Sequence, residues 1–398
     1  MTSMLRVERL VAGGDGLARE EDGRVAFVNG GLPGELVTVE TISQKKDFRR
    51  VRVTEVIEAS ADRRDPPCAH RVEGCGGCGW MHLAPEAQLR AKGDIVRESL
   101  TRLAKLPAER VDELVVLGAA VDPLGYRTTI RVAADRSGRA GFRAEASDQV
   151  VPVDQCRVAH PQLAALLPDL RLPEHAELAL RTSLATGEST ARWEGRRPPD
   201  DRVAGLSPTV HFGDRAWIEE RVAGEWFRVS APSFFQSGPA AAEALVDAVG
   251  RLGGDRVSGH AVDAYGGVGL FARTVLAGAA RVTLVESSKP ACVDARQNLQ
   301  GVDASVVRSE FGRWDPGGAR VDLVVADPAR TGLGKPGVAA VERAAPDTLL
   351  LVSCDPGSLA RDVSLLGERG FRPSVVEVLD LFPETAHVEA VTLFEAEL

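Results

Sequence analysis

Asp263-Ala264-Tyr265-Gly266-Gly267-Val268-Gly269-Leu270-Phe271-Ala272 runs from the end of an apolar strand through a glycine turn into the start of a helix. A helical stretch separates it from a second strand, Arg281–Glu286, and two further apolar runs at 321–326 and 348–353 end in Asp327-Pro328 and Cys354-Asp355-Pro356. Strands that alternate with helical segments specify a parallel, doubly wound sheet. The last two runs, 374–381 and 387–393, lie too close together for a crossover helix, so an antiparallel hairpin should close the sheet. An α/β, Rossmann-like domain is therefore expected over residues 231–398, opened by a helix over 240–249. In such sheets ligands bind beyond the carboxyl ends of the strands, which is where the polar motifs fall.

The glycine turn alone is ambiguous, because Gly267-x-Gly269-x-x-Ala272 also satisfies the dinucleotide fingerprint. Glu286, 19 residues after Gly267, could hold a ribose in either case. Asp263 separates the two. A carboxylate four residues before Gly267 would face a pyrophosphate badly, yet it suits the cationic amino-acid end of S-adenosylmethionine. A nicotinamide or flavin cofactor, or a turn that merely packs helix on strand, remain the alternatives.

Cys354 stands at the tip of a buried strand, with Asp355-Pro356 after it and a helix expected from about Ser358. Helix N-terminal amides would favour its thiolate. Cys292, in an ordinary helical stretch after Pro290, is the inert counterpart. Asp327-Pro328-Ala329-Arg330 lacks the aromatic residue that amine-methylating enzymes of this fold carry after their proline pair, which argues for attack through carbon. In His387-Val388-Glu389 strand alternation puts His387 and Glu389 on one face, and burial should raise the Glu389 pKa, as suits a proton acceptor. Together these groups could methylate uracil C5, a poor nucleophile. Cys354 would add to C6, C5 would take the methyl group, and Glu389 would remove the C5 proton. The base must leave its stack to reach the thiol. Phe234-Phe235-Gln236 could supply stacking faces and a donor-contacting amide.

Outward from this domain, residues 1–58 read as short strands separated by glycine turns, the pattern of a small barrel. Residues 59–230 form a central segment, mainly β after 125, with a helical periodicity over 85–105. Cys68-x6-Cys75-x2-Cys78 and a distant Cys156 offer four thiols; four thiolates fit zinc or an iron–sulfur cluster, and the missing second C-x-x-C knuckle favours the cluster. The net charge is −9, from 48 basic and 57 acidic residues, so no global basic field advertises a polyanion. Residues 1–160 nevertheless carry 24 of each sign, and five cations fall in the eight residues from Lys45 to Arg52, either a solvated strand face or a phosphate contact. No apolar run is long enough to span a bilayer, and early acidic residues (Glu8, Asp15) argue against a secretion signal; a cytoplasmic monomer is expected.

These motifs resemble the RNA uracil-5-methyltransferase family, and the resemblance covers nearly the whole chain. Phe-Phe-Gln, Asp-x-Tyr-x-Gly-x-Gly, Asp-Pro-x-Arg, Ser-Cys-Asp-Pro and His-Val-Glu look like its donor, nucleophile and base motifs in order. The resemblance implies a class I methyltransferase domain, an N-terminal TRAM barrel of the oligonucleotide-binding type, and a [4Fe-4S] cluster on Cys68, Cys75, Cys78 and Cys156. It implies donor contacts at Gln236, Tyr265, Glu286 and Asp327, with Cys354 as nucleophile and Glu389 as base. The substrate would be a uridine in ribosomal or transfer RNA, and the 85–105 helix would pack on the catalytic domain. Departures are Ala329 for a second proline, Ser237-Gly238 for a common Val-Asn, and Gly266 where a cysteine is frequent. Two competing readings are a non-catalytic RNA-binding iron–sulfur protein and an RNA cytosine-5 methyltransferase. The latter typically needs a second cysteine, which no neighbouring strand end supplies.

Overall fold

The computed structural model describes residues 3–198 and 202–397, so the outermost residues and positions 199–201 of the expected segments lie outside it. An eight-stranded sheet dominates. Its spatial order is Ala304–Arg308, Arg281–Glu286, His260–Ala264, Leu323–Ala326, Thr348–Ser353, Glu389–Ala396, Phe371–Asp380 and Val115–Ala120. The first five strands are parallel, and the apolar runs of the inner ones (Leu349 to Val352, for example) are buried on both faces, as a helix-covered parallel sheet requires, while the edge strand Ala304–Arg308 is half-buried. Glu389–Ala396 runs antiparallel to both of its neighbours, so the closing hairpin is present, although its last strand begins at Glu389 and leaves His387 in the preceding loop.

Strand order reverses between His260–Ala264 and Leu323–Ala326. The chain leaves the first toward Arg281–Glu286 on one side and returns to build the second on the other. A crevice at such a switch point is where doubly wound sheets take ligands. Its lips are the residues just past the two strands: the glycine turn after Ala264, and Asp327.

Helices cover both faces. Pro239–Gly253 and Lys289–Asn298 pack on one, together with the hairpin Trp217–Val222/Glu225–Ser230. That hairpin turns at Ala223-Gly224, both with positive φ (51° and 84°), the conformation two-residue hairpin turns prefer. Asp294 ties it down: the buried carboxylate accepts from the Ser230 amide (2.9 Å) and from the hydroxyls of Ser230 (2.7 Å) and Ser233 (2.6 Å). Gly334–Ala344 and Pro356–Gly367 cover the other face, beside Pro85–Arg102. Pro356 stands at the helix start, where its missing N–H costs nothing.

Two parts of the segment 59–230 join the large unit: the helix whose packing there was expected, and a strand that was not. Pro85–Arg102 lies on Pro356–Gly367 and Phe371–Asp380, and Val115–Ala120 adds the outer strand of the large sheet, parallel to Phe371–Asp380. What stands apart is a six-stranded sheet, ordered Val210–Phe212, Ser189–Glu194, Glu177–Thr182, Thr129–Ala134, Ala140–Arg143 and Val150–Pro152, with its own core around Leu163, Leu178 and Leu180.

Five strands, Ser3–Leu10, Gly16–Arg19, Val25–Asn29, Leu36–Gln44 and Phe48–Glu58, close an N-terminal barrel filled by Leu5, Val7, Ala26, Val28, Val37 and Val51. The basic run enters its last strand. Arg49 is buried against Glu20, Arg50 meets Asp15 at 2.9 Å, and Arg52 faces Glu40 at 3.7 Å, so acidic neighbours answer much of its charge. No helix among the described residues is long and apolar enough to cross a membrane.

Candidate active site at the ends of the central strands

The glycine turn takes its shape from three positive-φ residues, Tyr265 (59°), Gly267 (54°) and Gly269 (93°). This backbone turns the amides inward. The Gly267 amide donates to Glu286 Oε2 (3.1 Å), while Glu286 Oε1 accepts from Ser288 N (2.6 Å). Gly266 is closely enclosed here: a Cβ would lie 2.6 Å from Leu284 Cγ and 2.9 Å from Asp263 Cγ, so a larger residue requires those side chains to shift. Tyr265 packs its ring 5.4 Å from Phe311, which stacks on Trp314.

Asp263 is fully buried. Its Oδ2 accepts from the Ala272 amide (2.9 Å), but Oδ1 has no partner among the described residues. Across the switch point, Asp327 Oδ2 accepts from Gln236 Nε2 (3.2 Å). Burial pushes both carboxyls up to about 7; for Asp263 the charges of Asp327 and Glu286 add to it, while the Ala272 amide and the Gln236 amide oppose it at the two sites. Buried, unneutralised carboxyls are costly. Their arrangement fits a ligand that brings positive charge, and a sulfonium with an α-ammonium group does so.

Cys354 ends the strand Thr348–Ser353, and Glu389 opens the antiparallel strand beside it. Here the structure corrects one expectation. The thiol is pushed up to about 12 by burial and by the charges of Glu389 and Asp327, with Arg330 acting the other way. The helix start offers little against this. Pro356 has no N–H, the Ser358 amide is taken by Asp355 Oδ1 (2.7 Å), and the Leu359 amide by Asp355 O (3.0 Å). Glu389 is completely buried, and its pKa is raised well above the ordinary value by burial and by Asp327, with Lys92 opposing. His387 accepts at Nδ1 from Arg330 Nη2 (2.5 Å); burial and that guanidinium push its pKa down to about 4, so it is a neutral acceptor that orients Arg330 beside the thiol. The two phenylalanines separate: Phe235 packs against Phe227, whereas Phe234 is 71% exposed. Cys292 is buried and donates its thiol hydrogen to Glu286 O (3.3 Å), so it is tied down on the helix beside the second strand.

Cys68, Cys75, Cys78 and Cys156 all line one cavity of about 300 Å³ between the 68–78 loop and the six-stranded sheet. None is in a disulfide. Among the described residues no set of three His, Cys, Asp or Glu side chains is arranged to hold a metal ion. Burial pushes Cys78 up to about 12, opposed by Arg127 and reinforced by Cys156 and Cys75; Cys75 and Cys156 are raised too, burial again the largest cause. Of the four, Cys78 is buried, while Cys68, Cys75 and Cys156 are half-buried in the cavity wall.

Several residues of the site escaped the sequence reading. The loop 381–388, which leads into Glu389, is held from below. Trp80 N donates to Glu384 O (3.0 Å), Tyr126 Oη to Pro383 O (3.1 Å), Glu384 N to Gln88 Oε1 (2.6 Å), and Arg64 pairs with the Glu384 carboxylate (2.5 Å). Asp362 accepts from Leu333 N (2.7 Å) and Gly334 N (3.1 Å), fixing the loop after Arg330. Lys92 is entirely buried. Its signal was present: Gln88, Lys92, Val96 and Ser99 lie on the buried face of Pro85–Arg102, and a lysine on such a stripe calls for a partner.

No family model matches the chain. An uncharacterized RNA methyltransferase of Streptomyces coelicolor is 36% identical over 96% of this chain and 90% of its own length, and one of Streptomyces avermitilis is 35% identical over 96% and 95%. The 23S rRNA (uracil(1939)-C(5))-methyltransferase RlmD of Shewanella piezotolerans is 28% identical over 98% of this chain and 96% of its own. Among solved structures, the tRNA (uracil-54, C5)-methyltransferase of Pyrococcus abyssi, in complex with S-adenosyl-L-homocysteine, shares the fold over 98% of this chain and 100% of its own, with a TM-score of 0.71 at 24% identity. That likeness makes the eight-stranded unit a class I methyltransferase fold. At the identity it shares with its Streptomyces relatives over nearly its full length, this chain belongs to the RNA methyltransferase family.

Proposed function

We propose that the enzyme transfers a methyl group from S-adenosylmethionine to C5 of a uridine in structured RNA, through a covalent bond between Cys354 and C6. One observation carries this reading above the others: a thiol and a buried carboxyl end adjacent strands, opposite a crevice whose acids lack positive charge. The RNA relative and the transfer-RNA structure noted above bear names that describe this same chemistry on two RNA classes.

The residues divide the work as follows. Asp263, Asp327, Gln236 and Glu286, with the turn at Tyr265, Gly267 and Gly269, hold the donor, which supplies an electrophilic methyl group. The donor's positive charge would offset the Asp263 and Asp327 carboxylates, and together with Arg330 it would favour the Cys354 thiolate. The sulfur adds to C6; the electron pair reaches C5, which takes the methyl group as the donor's S–CH3 bond breaks. Glu389 then accepts the C5 proton, and the C6–S bond breaks to restore the aromatic ring. Phe234 offers an exposed face for a base out of its stack. The N-terminal barrel is the surface proposed to carry more of the RNA, and the four thiols would hold a [4Fe-4S] cluster as a structural element away from the transfer.

The test is a trap. With RNA bearing 5-fluorouridine, C5 has no proton to lose, so a denaturant-stable adduct should form in the wild-type enzyme and be absent in Cys354→Ala. Adduct in Cys354→Ala, or full turnover by it, would remove the nucleophile and the reading with it.

A further inference from the structure

Pro85–Arg102 comes from the N-terminal half of the chain, yet it delivers a lysine to the catalytic strand ends. Lys92 is completely buried; Nζ contacts Asp380 Oδ1 at 2.5 Å, donates to Phe382 O at 3.1 Å and lies 5.9 Å from the Trp80 ring. Two oxygen acceptors and an aromatic face are the surroundings of an ammonium rather than a neutral amine. Asp380 ends its strand one residue after Leu379, the cross-strand partner of Glu389. The pair therefore sits at the level where the proton acceptor begins.

We infer that Lys92 is a positioning residue for Glu389: a buried cation, anchored by Asp380 and Phe382 O, that eases ionisation of the carboxyl so that it can take the C5 proton. This rests on the function proposed above. The charged and titratable groups around Glu389 come from every neighbouring element. Asp327 comes from the switch-point strand, Cys354 from the adjoining strand, Asp380 from the hairpin, Glu384 and His387 from the loop, Arg330 from the loop after Asp327, and Lys92 from the helix. Burial and Asp327 hold the Glu389 proton on, and Lys92 is the group that acts against them. An acid too hard to ionise cannot serve as a base, so a fixed cation is what this site requires.

The experiment follows release of the methylated covalent intermediate in single-turnover reactions with ordinary uridine RNA between pH 5.5 and 8.5. In Lys92→Met the stem's shape survives and the charge goes. The ascending limb of the release rate should move up by about one pH unit, leaving release about tenfold slower on that limb while adduct accumulates. Lys92→Arg should keep the limb where it is, even if the rate falls. Removal of one partner of a buried pair can unfold a protein, whereas removal of both is better tolerated, so Lys92→Met/Asp380→Leu is the companion variant, with an upward shift expected that is smaller because an anion leaves with the cation. An unmoved limb in the double variant, or in a folded Lys92→Met, overturns the inference. Glu389→Gln separates the layers. If it releases product normally, the base assignment itself fails; if it stalls while the Lys92 variants keep the wild-type limb, only the role of Lys92 fails.

Discussion

Donor binding should release protons. Asp263 and Asp327 are held up to about 7 because they are buried without a counter-charge. At pH 6 each is therefore about nine-tenths protonated, and a donor carrying a sulfonium and an ammonium binds their ionised forms. If the bound cation restores both to the ordinary carboxylate range, binding at pH 6 expels about two protons, and at pH 7.5 about half of one. The sign follows: groups that must lose protons to bind make affinity rise with pH. Between pH 6 and pH 7.5 the gain is about eightfold per carboxyl, or about seventyfold for both, in a range where the donor's own α-ammonium stays largely charged. Titration calorimetry in two buffers of different ionisation heat reads the proton count directly. Asp263→Asn should remove about half of it. A count near zero at pH 6, with an affinity independent of pH, would mean that these carboxyls do not meet the donor's charge.

Two further outcomes test the surrounding frame. Gly13 and Gly14 share almost the same φ (95° and 94°), but a Cβ at Gly14 would lie 2.5 Å from Ala386 Cβ and 2.7 Å from Trp80 Nε1, whereas at Gly13 it meets nothing. Both alanine variants carry the backbone strain of about 1 kcal/mol or more, so Gly14→Ala should melt at the lower temperature and also slow methyl transfer; equal melting points would show that the barrel does not bear on the 381–388 loop. Protein purified without oxygen should hold about four irons and four sulfides and absorb near 400 nm, and Cys156→Ser should lose both; stoichiometric zinc in their place would reject the cluster.

Much of this architecture was legible in the chain, for physical reasons. Parallel strands buried on both faces must read as unbroken apolar runs, so 261–264, 281–286 and 348–353 announced themselves, as did the hairpin after 371. The carboxyl ends then pointed to Asp263, Glu286, Asp327 and Cys354 without any knowledge of distances, and the antiparallel return strand added Glu389 at the same edge. Three things were not legible. Val115–Ala120 is an outer strand with Val116 and Leu117 exposed, and nothing local says which of two sheets it joins. The thiol's environment depends on carboxyls from other strands, and a helix start whose amides are already occupied looks the same in sequence as one whose amides are free. Lys92 needed a partner that lies 288 residues away, and a single sequence does not name it.

The order of strands in the sheet also bears on how its two halves hold together. Glu389–Ala396 is inserted between Thr348–Ser353 and Phe371–Asp380, so one interior strand joins the parallel half to the outer pair. Because the same strand begins at Glu389, the seam of the sheet and the proposed proton acceptor are a single piece of chain. Loosening that seam would therefore open the sheet and misplace the carboxyl together, which ties the integrity of the fold to the chemistry it carries.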